Sequence, residues 1–193
     1  MNTYFTADFH AYHSNIIRYC NRPQLKKGDL DKKGNWISEY IKEQRGKEMN
    51  EFLIKRWNDR VKEGDLVFHI GDFGFGKKAF DVRKRLNGDI IFLQGNHDRN
   101  NNIKTRISRI VIRIGKDYIN LVHNPQFADS KFRINLIGHV HGAWECKRVR
   151  THFGFTDCIN VGVDVWNYYP VTYNELMKRY YKWRKGHDSK KRG

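Results

Sequence analysis

The chain has 193 residues, 37 basic against 21 acidic, for a formal net charge of +16. At roughly 150 residues per domain this is one domain large enough for a real core, and a positive surplus of that size favours a polyanionic partner. Apolar residues make up 39%, but runs such as 90–93 fall far short of the about 18 residues that span a bilayer, which excludes a membrane protein. The start MNTYFTADFH has neither a charged nor an apolar leader segment, so the expected location is the cytoplasm. Cys20, Cys146 and Cys158 form no CxxC pair, which argues against a disulfide framework and a thiolate zinc cluster.

In chain order, the first strand is expected at 3–7. A helix follows at 48–62, where Met49, Phe52, Leu53, Trp57 and Val61 recur at helical spacing. A strand at 65–70, a helix at 77–86 and a strand at 89–93 come next. Strands at 110–114 and 118–122 form a hairpin about Gly115 and Lys116. Further strands are expected at 134–137 and 159–163. A last helix begins after Thr172, which with Glu175 makes a capping box, and carries Leu176, Met177, Tyr180 and Tyr181 as a core-facing stripe. Most strands are continuous apolar runs, the pattern of strands covered on both faces, and the alternation with helices reads as α/β. Residues 1–185 make up the domain, and the polar, basic tail 186–193 is expected to be disordered.

Residue types that ligate metals fall directly after these strands: Asp8 and His10, then Asp72, then Asn96 with His97 and Asp98, then His123, then His139 and His141. Loops beyond the carboxyl ends of strands are where α/β sheets bind ligands, so these clusters converge. In extended chain, residues i and i+2 project to the same side, so Asp8 and His10 can reach one ion. One carboxylate, best assigned to Asp72, can bridge two cations in a two-metal site. Oxygen and imidazole donors suit manganese, iron, zinc, cobalt or nickel without choosing among them.

The ordered set DxH, GD, GNHD, H, GHxH resembles the five motifs of the calcineurin-like metallophosphoesterases. The small bacterial and phage-type members are also similar at Ser14 to Ile17 and over 160–166. The resemblance implies a two-sheet β-sandwich flanked by helices. It implies that Asp8, His10, Asp72 and His141 hold one divalent transition metal, manganese foremost. Asp72, Asn96, His123 and His139 would hold the second, with Asp72 shared. His97 would lie beside the substrate phosphate, stabilising an equatorial oxygen or protonating the leaving oxygen. Two divalent cations outweigh the carboxylates of Asp8 and Asp72, so the site stays positive and suits a phosphate ester.

The function implied is a metal-dependent hydrolase, phosphodiesterase or phosphatase, acting on a nucleotide or nucleic acid. The alternatives are a non-catalytic nucleic-acid-binding module on the same fold, or a protein phosphatase. The sequence does not choose between monoester and diester, nor does it give the oligomeric state. His13 and Asn15 are candidate substrate contacts. Where many family members continue GD toward an Asp-Arg pair, this chain reads GDFGFGK, so no carboxylate partner of His97 is identified; Asp98 is its sequence neighbour. His69 is expected to be packed and hydrogen-bonded inside its strand. The basic runs at 77–78, 83–85 and 147–150 read as solvated faces that could line a polyanion path. Residues 24–47 look like an insertion relative to shorter family members. They are expected as a mobile basic loop and a short helix carrying Trp36, Tyr40 and Ile41, either a surface excursion or a flap over the site.

Overall fold

The computed structural model describes residues 1–98, 101–103 and 107–189. Two sheets pack face to face. The first has four strands in the order β3 (Asp89–Leu93), β2 (Leu66–Ile70), β1 (Thr3–Thr6) and β9 (Val171–Thr172). The second has five, in the order β4 (Arg109–Ile114), β5 (Asp117–Val122), β6 (Ile134–Ile137), β8 (Gly154–Asn160) and β7 (Cys146–Thr151). Pairs β1/β2, β2/β3, β5/β6 and β6/β8 are parallel, so each sheet delivers the carboxyl ends of its central strands together. That shared direction makes one edge of the sandwich a collecting point for loops.

Side-chain alternation explains the layering. On β1, Phe5 points into the core between the sheets with Phe68, Ile70, Leu121, Leu136 and Ile159, whereas Tyr4 points the other way, toward Met49, Leu53 and Trp57. The helices α1 (Asn15–Tyr19), α2 (Glu39–Arg60) and α3 (Ala79–Arg83) cover that outer face. Helix α4 (Tyr173–Ser189) adds Leu176, Met177 and Tyr180 to the inter-sheet core. Its capping box forms: Glu175 accepts from the Thr172 backbone N–H at 2.8 Å, and Thr172 Oγ1 accepts from the Glu175 N–H at 3.4 Å. No helix among the described residues is long and apolar enough to cross a membrane.

Several expectations are corrected. Helix α2 starts at Glu39 rather than 48, because Ser38 Oγ caps the Ile41 N–H and the Glu39–Lys42 and Arg45–Glu48 pairs support its polar first turns. Helix α3 covers only Ala79–Arg83 of the expected 77–86. The strand expected at 159–163 is β8, ending at Asn160, and its antiparallel neighbour β7 contains the basic run 147–150. β7 escapes hydrophobic patterning because it is an edge strand, where charged side chains are tolerated on both faces. Tyr181 is exposed, since its position turns away from the stripe that buries Tyr180. Residues 186–189, expected to be disordered, continue α4, while 190–193 lie outside the described residues.

The insertion 24–47 is ordered as well. Asp29 pairs with Arg45 at 2.7 Å, Asp31 Oδ1 accepts from the N–H groups of Lys33 and Asn35, and Trp36 Nε1 donates to Asn15 Oδ1 at 3.0 Å. The Trp36 bond, with Arg18 donating to Gly34 O at 2.7 Å, fastens it to α1.

Candidate metal centre

Five chain segments reach the collecting edge, and main-chain bonds lace them together. The Asp8 N–H donates to Gly71 O, the His10 N–H to Asp72 O, the Gly138 N–H to His123 O and the Val163 N–H to Ala7 O. Asp8, His10, Asp72, His139 and His141 all adopt left-handed backbone conformations, with φ of 58°, 57°, 57°, 72° and 47°. Each such residue costs on the order of 1–3 kcal/mol and persists only where its surroundings fix it. Period-two projection along extended chain is therefore not what brings Asp8 and His10 together; two sharp turns do.

The donors converge. Asp72 Oδ2 lies 3.7 Å from His10 Nε2 and 3.3 Å from His123 Nε2, while its Oδ1 accepts from the His97 N–H at 2.9 Å. His123 donates from Nδ1 to Ile70 O at 2.8 Å, which turns Nε2 inward. Asn96 Oδ1 is 3.1 Å from His123 Nε2 and 2.9 Å from His139 Nδ1. The His139 N–H donates to both oxygens of the fully buried Asp8 at 3.0 Å. Among the described residues three groups have ligand atoms all within 4.8 Å of one another: Cys20, His141 and Asp164, and two further ones made of Asp8, His10 and His141 and of Asp8, Asp72 and His123. Asp8 therefore stands in both, beside the Asp72 oxygen that faces two histidines.

The donor set fits metal binding on observations independent of the motifs. His10 Nε2 is a buried ring nitrogen with no hydrogen-bond partner, aimed at the Asp72 carboxylate. The space is also kept open by glycine: a Cβ on Gly95 would sit 2.1 Å from Asp72 Oδ1, and one on Gly162 would sit 2.6 Å from Asp8 Oδ2. The electrostatics are divided. Burial, reinforced by neighbouring cationic groups, holds His10 well below the usual histidine range and His13 at about 4, which leaves neutral imidazoles. Burial opposes protonation of His123 and His141 too, yet Asp72 and Asp8 hold the first up at about 9, and Asp164 with Cys20 holds the second at about 10. Burial raises Asp8 to about 6.

Residues that sequence reasoning did not assign complete the support. Asp164 Oδ2 accepts from His141 Nδ1 at 3.2 Å, and Asp164 is itself paired with the buried Arg22 at 2.9 Å. Arg22 also donates to the carbonyls of Asp8 and Phe9. The signals for Asp164 in the sequence are its place in the segment 160–166, which carries part of the resemblance, and a lone acid inside the apolar run 161–166. Asn160 Nδ2 holds the carbonyls of His141 and Trp144 at 2.7 and 2.9 Å. Asp98 is directed away from the His97 ring: its oxygens accept from the N–H groups of Asp72, Phe73 and Gly95 and from Asn101 Nδ2, all within 2.9 Å. It fastens the loop after β2 to the loop after β3.

Beside the donors opens a cleft of about 790 Å³, lined among others by His13, Tyr19, Phe75, His97 and His141. His13 is therefore a lining residue of the cleft. Asn15 is not among the lining residues, because its amide oxygen is bonded to Trp36. No residue of 24–47 is among the residues that line the cleft. His69 is fully buried among Phe9, Trp57, Phe73 and Phe92, with neither ring nitrogen hydrogen-bonded, contrary to expectation.

No protein-family model matches the chain. It is 34% identical over 184 residues to the uncharacterized protein MJ1445 of Methanocaldococcus jannaschii, covering 91% of this chain and 89% of that one. Among solved structures, the protein of unknown function AQ665 from Aquifex aeolicus superposes with a TM-score of 0.59 at 21% identity, over 91% of this chain and 97% of that one. This likeness shows a shared fold. Zinc-complexed Vps29 from Entamoeba histolytica overlaps more loosely, with a TM-score of 0.39 at 16% identity over 82% and 73% of the two chains. A conserved uncharacterized protein of Streptococcus pneumoniae, described as a predicted phosphoesterase, gives 0.35 at 16% identity over 83% and 71%.

Proposed function

The chain belongs to the family of MJ1445, and from its own site we propose that it is a dinuclear metal-dependent phosphoesterase acting on a nucleotide or nucleic-acid phosphate. The observation that carries this reading is the buried Asp72 carboxylate, with one oxygen facing the unpartnered His10 Nε2 and also His123 Nε2. Asp8, His10, Asp72 and His141 would hold one divalent cation, and Asp72, Asn96, His123 and His139 the other. Manganese is proposed first, with iron, zinc, nickel or cobalt compatible with the donors. When bound, such ions supply Lewis acidity toward a phosphoryl group and toward water.

The chain's own residues do the positioning. Asp164 and the Ile70 carbonyl fix the Nδ1–H groups of His141 and His123, leaving each Nε2 free to ligate. The backbone of His97 is held on Asp72, and its ring stands 5.7 Å from that of His10 at the exposed rim. There it stabilises a phosphate oxygen or delivers a proton to the leaving oxygen. Among the described residues no carboxylate is hydrogen-bonded to that ring. The surplus of positive charge draws polyanions to the chain.

Elemental analysis of the purified protein should give about two transition-metal ions per chain. Chelation should abolish hydrolysis of bis-p-nitrophenyl or p-nitrophenyl phosphate, and manganese should restore it. Asp72→Asn should lose both metal and turnover. No bound metal and no gain on adding manganese would overturn the reading. Bound metal without hydrolysis of any ester would favour the non-catalytic nucleic-acid module instead.

A further inference from the structure

We propose that the ring-lined wall of the cleft is a nucleobase subsite, with Phe75 as its specificity-determining residue; the inference rests on the phosphoesterase reading of the adjoining centre. Four rings form a row along the cleft. Tyr19 and His13 lie 6.4 Å apart between centroids, His13 and Phe75 4.2 Å, and Phe75 and His97 5.1 Å. Phe75 is also 6.0 Å from the His10 ring, so it stands immediately beside the metal-ligating donors. A substrate phosphate at those donors would place its esterified group against this row.

The chemistry of the wall selects what that group can be. Apart from the histidines, the lining includes Ile16, Val140 and Ala143, which offer methyl groups, and Tyr19, Cys20 and Asn21, which add a few hydrogen-bonding atoms. The row of ring faces suits a flat ring with a π-face, which a sugar phosphate lacks. The position of Phe75 is built and not incidental. Its N–H donates to Ala11 O at 2.8 Å, and Gly74 lets that segment lie against Ala11, where an added Cβ would meet both the Ala11 Cβ and carbonyl at 2.9 Å. Tyr19 is held as well, with the Arg18 guanidinium 4.9 Å above its ring. The sequence GDFGFGK, in which the GD motif leads to Phe75 between glycines, is the trace of this wall.

The test is calorimetric binding of adenosine 5′-phosphate and of ribose 5-phosphate to the manganese-loaded full chain, with turnover of both recorded separately. The adenine ring should improve binding about tenfold or more over ribose 5-phosphate, the scale of one base–aromatic stack. Phe75→Leu should weaken the nucleotide about tenfold more than the sugar phosphate, and Phe75→Tyr should restore most of the difference. A short oligonucleotide that binds more tightly than adenosine 5′-phosphate, with the same sensitivity to Phe75→Leu, would identify the terminal base of a chain as the occupant. Equal affinity for the two small probes, or equal weakening of both by Phe75→Leu, overturns the subsite. Nucleotide preference without turnover would sink the phosphoesterase reading and keep the subsite. Turnover without base preference would do the reverse.

Discussion

Asp98→Asn should uncouple the loops that carry Asp72 and Asn96 without touching any proposed ligand. Each carboxylate oxygen serves two donors: Oδ1 takes the Phe73 N–H and Asn101 Nδ2, and Oδ2 takes the Asp72 and Gly95 N–H groups. An amide can satisfy only one of these pairs, and its NH2 group then faces two other donors. The cheaper arrangement places the amide nitrogen toward Phe73 and Asn101, because Asp72 and Gly95 lie on the rigid glycine-lined side. Two bonds to a buried charged acceptor are lost, worth roughly 1.5–3 kcal/mol each, so the cost is about 3–6 kcal/mol. At about 2–4 °C per kcal/mol for a domain of this size, the melting temperature should fall by roughly 6–24 °C. Differential scanning calorimetry measures the fall, and metal analysis of the same sample should show weakened occupancy as the Asp72 peptide shifts. A drop under about 3 °C with full occupancy would mean that Asp98 does not fasten these loops.

His97→Asn should keep both metals and lower kcat by about 10²–10⁴-fold, the range for one acid or electrostatic group; unchanged kcat would remove His97 from the chemistry. Asp164→Asn should weaken metal binding about 10–100-fold through His141 and, by leaving Arg22 with a poorer partner, cost about 3–5 kcal/mol of stability. A competition titration and a urea melt read the two effects separately. Metal uptake should release protons. His123 and His141 are held up at about 9 and about 10 in the cation-free protein, so at pH 7.5 both carry a proton that ligation must displace, whereas Asp8, at about 6, is already mostly ionised. Affinity should therefore rise with pH until those groups titrate, and calorimetry in buffers of different ionisation enthalpy should count about two protons; no release would show that these histidines do not ligate. If a nucleic acid is the substrate, its binding should weaken steeply with salt while hydrolysis of small esters barely changes, and a flat response would point to a free nucleotide.

Much of this was legible in one dimension because it depends on local pattern. Apolar runs mark β1, β2, β3, β5 and β6, and the capping box at Thr172 and Glu175 marks the start of α4. Each polar cluster follows its strand directly, since the parallel strands end at one edge whatever the details of packing. Local pattern was silent where polar residues are held by partners distant in sequence. The basic edge strand β7 has no apolar periodicity, so only pairing reveals it, and the first turns of α2, where Tyr40 and Ile41 suggest only a separate short helix, join the long helix without a break. Asp164 and Arg22, 142 residues apart, become a pair only when the segment after β8 closes over the segment after α1. Asn15 and Asp98 carry the residue types of a binding site, yet their oxygens face Trp36 and backbone N–H groups. A residue's type states what it can bond to, while the fold determines which partner lies within hydrogen-bonding distance.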